Sequence, residues 1–76
     1  MPQYRDVDGD SGIIGYEYGQ DWIEVEFEKG ANRFYRYTYL STGSDHVEKM
    51  KRLADAGEGL NSYINRQVAR RYASKH

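Results

Sequence analysis

The chain has 76 residues, 11 Lys and Arg against 12 Asp and Glu, and a formal net charge of −1, with 38% of its residues hydrophobic and 14% aromatic. That length suits one small domain spanning 1–76. It contains no cysteine, which excludes a disulfide framework, a thiolate metal site and a cysteine nucleophile, and no apolar run approaches the ~18 residues of a membrane span.

Residues 1–12 are polar and rich in Asp and Gly. They read as a tail or loop, the first nine as flexible, which leaves an ordered core over about 10–73. The opening Met1 to Asp6 holds no apolar stretch of the kind a signal peptide needs, so a cytoplasmic location is expected. Ile13 to Tyr18 reads as a first strand. Trp22 to Glu28 is the clearest strand, with Ile23, Val25 and Phe27 alternating with Glu24, Glu26 and Glu28, a period of two with one apolar and one acidic face. After the turn Lys29-Gly30-Ala31-Asn32, Arg33 to Leu40 reads as a third strand. Short connections between neighbours predict an antiparallel meander.

The period then changes. Ser44 or Asp45 can open a helix, and Glu48 lies three residues after Asp45 as in a capping box. Val47, Met50, Leu53 and Ala54 recur at helical spacing, and Gly57 and Gly59 stop that helix. A second helix is predicted from about Leu60 to Tyr72, with Leu60, Tyr63, Ile64, Val68 and Tyr72 on one side and Arg66, Arg70 and Arg71 outside. The fold class is therefore α+β, a three-stranded antiparallel β-meander followed by two α-helices packed on one face. Ile13, Ile23, Val25, Phe27, Leu53, Ile64 and Val68 are the expected core. Ile, Leu, Val and Phe total only 13 residues, so the eight Tyr and one Trp must supply much of the buried area at ~150–250 Å² per ring.

Read in order, these residues resemble the KTSC domain family. The matching features are Ser11-Gly12-Ile13, Gly15-Tyr16-Glu17, Ile23-x-Val25-x-Phe27-x-x-Gly30, Tyr35-Arg36-Tyr37, Leu40, Met50, Leu53, Ala56-Gly57, Gly59-Leu60-Asn61, Ile64 and Tyr72. The likeness covers about residues 10–73. It departs from the pattern between Ile13 and Gly15, which lie two residues closer, between Gly30 and Tyr35, which lie further apart, and at the long Ser41–Asp45 loop, which has no proline. Such domains occur alone in bacterial proteins and at the C-terminus of some lysyl-tRNA synthetases. The resemblance implies a link to RNA and brings no catalytic residues.

Three constellations carry chemistry. Tyr35, Tyr37 and Tyr39 share one strand face with Arg33, while Arg36 points the other way. Such a row can stack the bases of single-stranded RNA; equally, it can pack on the helices or pair with Trp22 and Tyr16 across strands. Arg66 and Arg70, spaced i,i+4, suit phosphates, or form a solvated helix face. The nucleic-acid set is thus Tyr35, Tyr37, Arg36, Arg66 and Arg70, with transfer RNA or a single strand as ligand. In the loop from Asp6 to Glu17, the acids Asp6, Asp8, Asp10 and Glu17 fall at positions 1, 3, 5 and 12 of an EF-hand-like loop, but position six is Ser11 instead of Gly, and no helix precedes it. A solvated acidic loop is the plainer reading.

His46, beside Ser41, Ser44 and Asp45, is too local for a triad, and with His76 it completes the histidines. A non-catalytic binding module without a cofactor is expected. Residues 1–28 carry a net −7 and residues 29–76 a net +6. That split makes a self-associating or protein-interaction module the alternative, and a Ca²⁺-stabilised domain the third.

Overall fold

The computed structural model describes residues 3–5 and 12–76. The strands β1 (Ile13–Tyr18), β2 (Trp22–Phe27), β3 (Phe34–Thr38) and β4 (Ser74–Lys75) form one antiparallel sheet in the order β1-β2-β3-β4. The helices are α1 (Tyr39–Thr42), α2 (Ser44–Ala56) and α3 (Leu60–Tyr63), the last running on into a wide π-helical turn, Ile64–Val68. The protein is α+β, with the helical elements gathered on one face of the sheet. No helix among the described residues is long and apolar enough to cross a membrane.

The period-two pattern of β2 sets the sheet's two faces. Ile23 and Val25 are fully buried, Phe27 lies at the core margin, and the glutamates between them point to the other side. Opposite them on β3, Ile23 faces Tyr37 and Val25 faces Tyr35. These residues join Val47, Met50 and Ala54 from α2, Leu60 from α3, and Ile64 and Val68 from the π-turn in one core. Five of the seven predicted core residues are buried, with Phe27 and Leu53 packed against them. The ladder of β1 on β2 shifts register between Ile13 and Gly15. That bulge keeps Ile13 in the core and turns Ile14 towards solvent.

Several expectations are corrected. The sheet has a fourth strand. Ser74 and Lys75 pair with Arg36 and Tyr35, and the amides of Arg33 and Phe34 both donate to the His76 carbonyl, at 2.9 and 2.8 Å. A two-residue polar strand leaves no periodic trace, but it satisfies backbone groups that β3 would otherwise leave open. The ordered body therefore continues past residue 73 to the last residue.

β3 stops at Thr38, and the Tyr row stops with it. The Thr38 side-chain oxygen accepts from the Ser41 amide at 3.0 Å, and the Ser41 hydroxyl accepts from the Thr38 amide at 3.1 Å. The capping box thus lies at the start of α1. It does not form at Asp45 and Glu48: α2 begins after Gly43 without a side-chain cap, and the Glu48 carboxylate is engaged by Lys51 and Tyr39 instead. Leu40, expected inside the third strand, is 99% exposed on α1.

The second helix is much shorter than Leu60 to Tyr72. After the π-turn the chain leaves helical geometry, and the buried Thr42 hydroxyl donates to the Arg71 carbonyl at 2.6 Å, tying this exit to α1.

Finally, residues 3–5 are part of the folded body. Gln3 pairs with Gly15 at the edge of β1, and the Tyr4 amide donates to the Ile14 carbonyl at 3.2 Å. The Tyr4 ring is 3% exposed and packs edge-on against Tyr16. The Arg5 guanidinium donates to the Asp55 carbonyl at 2.6 Å. Gly57 lets this strap through: it closes α2 in a left-handed conformation (φ 78°), and a Cβ there would sit 2.6 Å from the Arg5 Cβ.

Candidate functional site

The inner face of β3 faces the exit of the last helix across a set of rings. Phe27 and Tyr35 meet edge to face with centroids 5.4 Å apart, Tyr35 and Tyr72 at 5.1 Å, and Tyr37 and Tyr72 at 6.4 Å. Each such pair contributes roughly 0.5–1.5 kcal/mol beyond its area. Above them opens a cleft of about 520 Å³, bounded on one side by the β2–β3 turn with Lys29 and Asn32, and on the other by Ile64, Asn65, Ala69 and Arg70. That volume lies within the ~300–1,000 Å³ common for small-ligand sites. Lys29 and Arg70 are exposed, and neither has an ion-pair partner among the described residues.

Local sequence explains this geometry. Phe27 ends the apolar face of β2, so the turn that follows brings Lys29 and Asn32 over the same face. On the far side, the Ala69 amide donates to the Ile64 carbonyl at 2.6 Å, five residues back. This widened turn sets Asn65, Ala69 and Arg70 along the rim; π-turns of this kind concentrate at functional sites. Burial pushes the Tyr37 phenol well above its ordinary range, with smaller contributions from Tyr35 and Tyr72. The phenol is therefore neutral at physiological pH.

Of the five residues expected to bind nucleic acid, three meet here: Tyr35, Tyr37 and Arg70. Tyr37 is only 1% exposed, so an open stacking platform of Tyr35, Tyr37 and Tyr39 does not exist. A chain this poor in aliphatic side chains uses Tyr37 as core. Arg36 stands on the opposite sheet face, with its Nε 3.2 Å from Glu24 Oε1 and its guanidinium 4.1 Å from the Trp22 ring centroid. Arg66 lines a separate groove with Lys49, Leu53 and Ser62. Residue-level reasoning missed Phe27, Lys29, Asn32, Asn65 and Tyr72 as site residues. The one signal for the first three was a cationic, amide-bearing turn directly after an inward Phe; Asn65 and Tyr72 had none. Asp6, Asp8 and Asp10 lie outside the described residues. Glu17 sits exposed on β1, opposite Glu24, and no group of three potential metal ligands occurs among the described residues.

A second polar cluster latches α2 to the sheet. The Tyr16 and Tyr18 hydroxyls donate to the two oxygens of Asp55, both at 2.8 Å. Tyr39 donates to Glu48 at 2.5 Å, and Lys51 bonds Glu48 and the Gln20 carbonyl, each at 2.8 Å. Hydrogen bonds from Lys51 and Tyr39 hold the Glu48 carboxyl below its usual range. Burial, then the bond to Asp55, raises the Tyr16 phenol from 10.0 to about 12; Tyr18 is raised chiefly by its bond to Asp55. A folded-state pKa above the unfolded value means the contribution is complete below pH 10.0 and is lost as pH rises through about 12. The melting temperature should fall across that window, followed by circular dichroism alongside tyrosinate absorbance. In Asp55→Asn the tyrosines should ionise earlier and the fall should be shallower; an unchanged profile would remove Asp55 from this role. Elsewhere, His46 Nδ1 lies 2.7 Å from the Tyr63 hydroxyl and joins α2 to α3.

No protein-family model, curated protein or solved structure matches this chain.

Proposed function

We propose that the protein is a cytoplasmic, non-catalytic module that binds single-stranded RNA by taking one nucleotide into the aromatic cleft. The observation that carries this reading is the placement of two unpaired cations, Lys29 and Arg70, on the rim of a cleft floored by Phe27, Tyr35 and Tyr72. A base enters against Tyr35 and Tyr72, since every base offers a π-face. Asn32 and Asn65 present both donors and acceptors to its edge, and Lys29 and Arg70 receive the phosphate. The KTSC resemblance, with its link to a tRNA-charging enzyme, supports the same ligand class. We propose membership of that family on the order of its motifs: Gly15-Tyr16-Glu17 falls on β1, Tyr35-Arg36-Tyr37 on β3, and Gly59-Leu60-Asn61 at the opening of α3.

The test is fluorescence anisotropy with a labelled single-stranded oligonucleotide and a transfer RNA at low and moderate salt. Binding should weaken with salt, with a log–log slope of about 0.7 for each phosphate neutralised. Tyr72→Leu should weaken it by roughly 1–3 kcal/mol, the worth of one stacked base, and Arg70→Glu should weaken it and flatten the slope. Arg36→Ala, on the far face, should bind as wild type. Absence of binding at low salt, or binding indifferent to both cleft variants, rejects the reading.

A further inference from the structure

The outer face of the sheet and the outer surface of the helices carry unsatisfied charges of opposite sign, on opposite sides of a two-layer molecule. On the sheet, Glu17 and Glu24 are register partners and Glu26 follows on β2. Arg36 engages Glu24 alone, so Glu17 and Glu26 have no ion-pair partner among the described residues. Amid these carboxylates lie two half-buried rings. Trp22 is stacked under Arg36, and Phe34 is stacked on His76 with centroids 5.1 Å apart. In the helical layer, a groove of about 240 Å³ between α2 and α3 has Leu53 in its wall and Lys49 and Arg66 on its sides. Tyr63 also lines the groove; burial raises its phenol, Arg52 opposes that rise, and Asp45 adds a smaller push in the same direction as burial. Lys49, Arg52 and Arg66 are exposed and unpaired among the described residues.

Each face thus has an apolar centre and a charged rim, the anatomy of a protein interface, and the rims are complementary. We propose that a second copy of this chain docks its α2–α3 groove onto the outer face of the sheet. Two sheet faces meeting symmetrically would set the acidic patch of Glu17, Glu24 and Glu26 against the same patch of the other copy, and two helical faces would set cations against cations, both unfavourable. The contact is therefore head to tail, and each added copy leaves one free face of each sign. The aromatic cleft takes no part in it.

Sedimentation of the full chain, freed of nucleic acid, tests this. At low ionic strength, species larger than the 8.9 kDa monomer should grow with protein concentration. At about 1 M salt, where the screening length is about 3 Å, the protein should be monomeric. Glu17→Lys with Glu26→Lys should weaken association at least tenfold, as should Arg52→Glu with Arg66→Glu. An equimolar mixture of the two double variants should restore it, because each then supplies the face the other has inverted. A monomer at low salt overturns the proposal whatever the variants do, as does association that survives about 1 M salt unchanged. Folded variants whose mixture stays monomeric overturn it too. If a variant fails to fold by circular dichroism, the salt series on the wild-type chain decides.

Discussion

Tyr37→Ala should lose about 3–5 kcal/mol of stability in urea unfolding, the usual cost of removing a large buried ring. At ~0.05–0.15 kcal/mol per residue, the whole domain has roughly 4–11 kcal/mol, so the variant should lose a large share of its stability and unfold at much lower urea. Tyr37 is the largest fully buried side chain, placed across from Ile23 and against Tyr72. Its loss would leave a void that Val25 and Ile64 cannot fill. Tyr37→Phe keeps the ring, and because the phenol lies at the cleft and no buried side-chain polar atom lacks a partner among the described residues, it should cost no more than about 1 kcal/mol. A Tyr37→Ala protein within 1 kcal/mol of wild type would show that the ring is not part of the core.

Tyr4→Ala should cost about 2–4 kcal/mol, although it lies in a segment whose composition reads as a loose tail. The ring is 3% exposed, meets Tyr16 edge-on, and its hydroxyl accepts the Leu60 amide at 3.4 Å. It therefore joins β1 to the start of α3 across 56 residues of chain. Arg5→Ala next to it removes one hydrogen bond to the exposed Asp55 carbonyl and should cost only about 1 kcal/mol. Thermal unfolding of both variants separates a packed strap from a tethered one. Equal, small shifts would mean that residues 3–5 lie on the surface without supporting it.

The two losses have a common origin. A domain of this size buries only ~60% of its unfolded surface, and this one has few aliphatic residues. Tyrosines therefore serve both as core and as cleft wall: Tyr37 is interior, Tyr35 and Tyr72 are half-buried around the opening, and Tyr16 and Tyr18 have rings against the fold and hydroxyls on Asp55. A ring that is part of the core cannot also be offered to a base. This is why the proposed contact falls to Tyr35 and Tyr72, with Tyr37 behind them.

Local pattern was enough for what local forces decide. The alternation of Ile23, Val25 and Phe27 with glutamates fixed β2 and its buried face, the helical spacing of Val47, Met50 and Ala54 fixed the inward side of α2, and Gly57 marked its end. The α+β class and the meander of the first three strands followed from those periods and the short turns between them. Tertiary structure decided the rest, because it depends on partners distant in the chain. Residues 74–75 become a strand only because β3 has an open edge. Tyr4 is buried only because α3 and β1 meet beside it. A run of tyrosines at period two has the same pattern whether it faces solvent or helices; the helical layer covering that face put Tyr37 in the core. The cleft is assembled from the β2–β3 turn, β3 and the π-turn. Its cations stand about 40 residues apart in sequence, and no local periodicity relates Lys29 to Arg70.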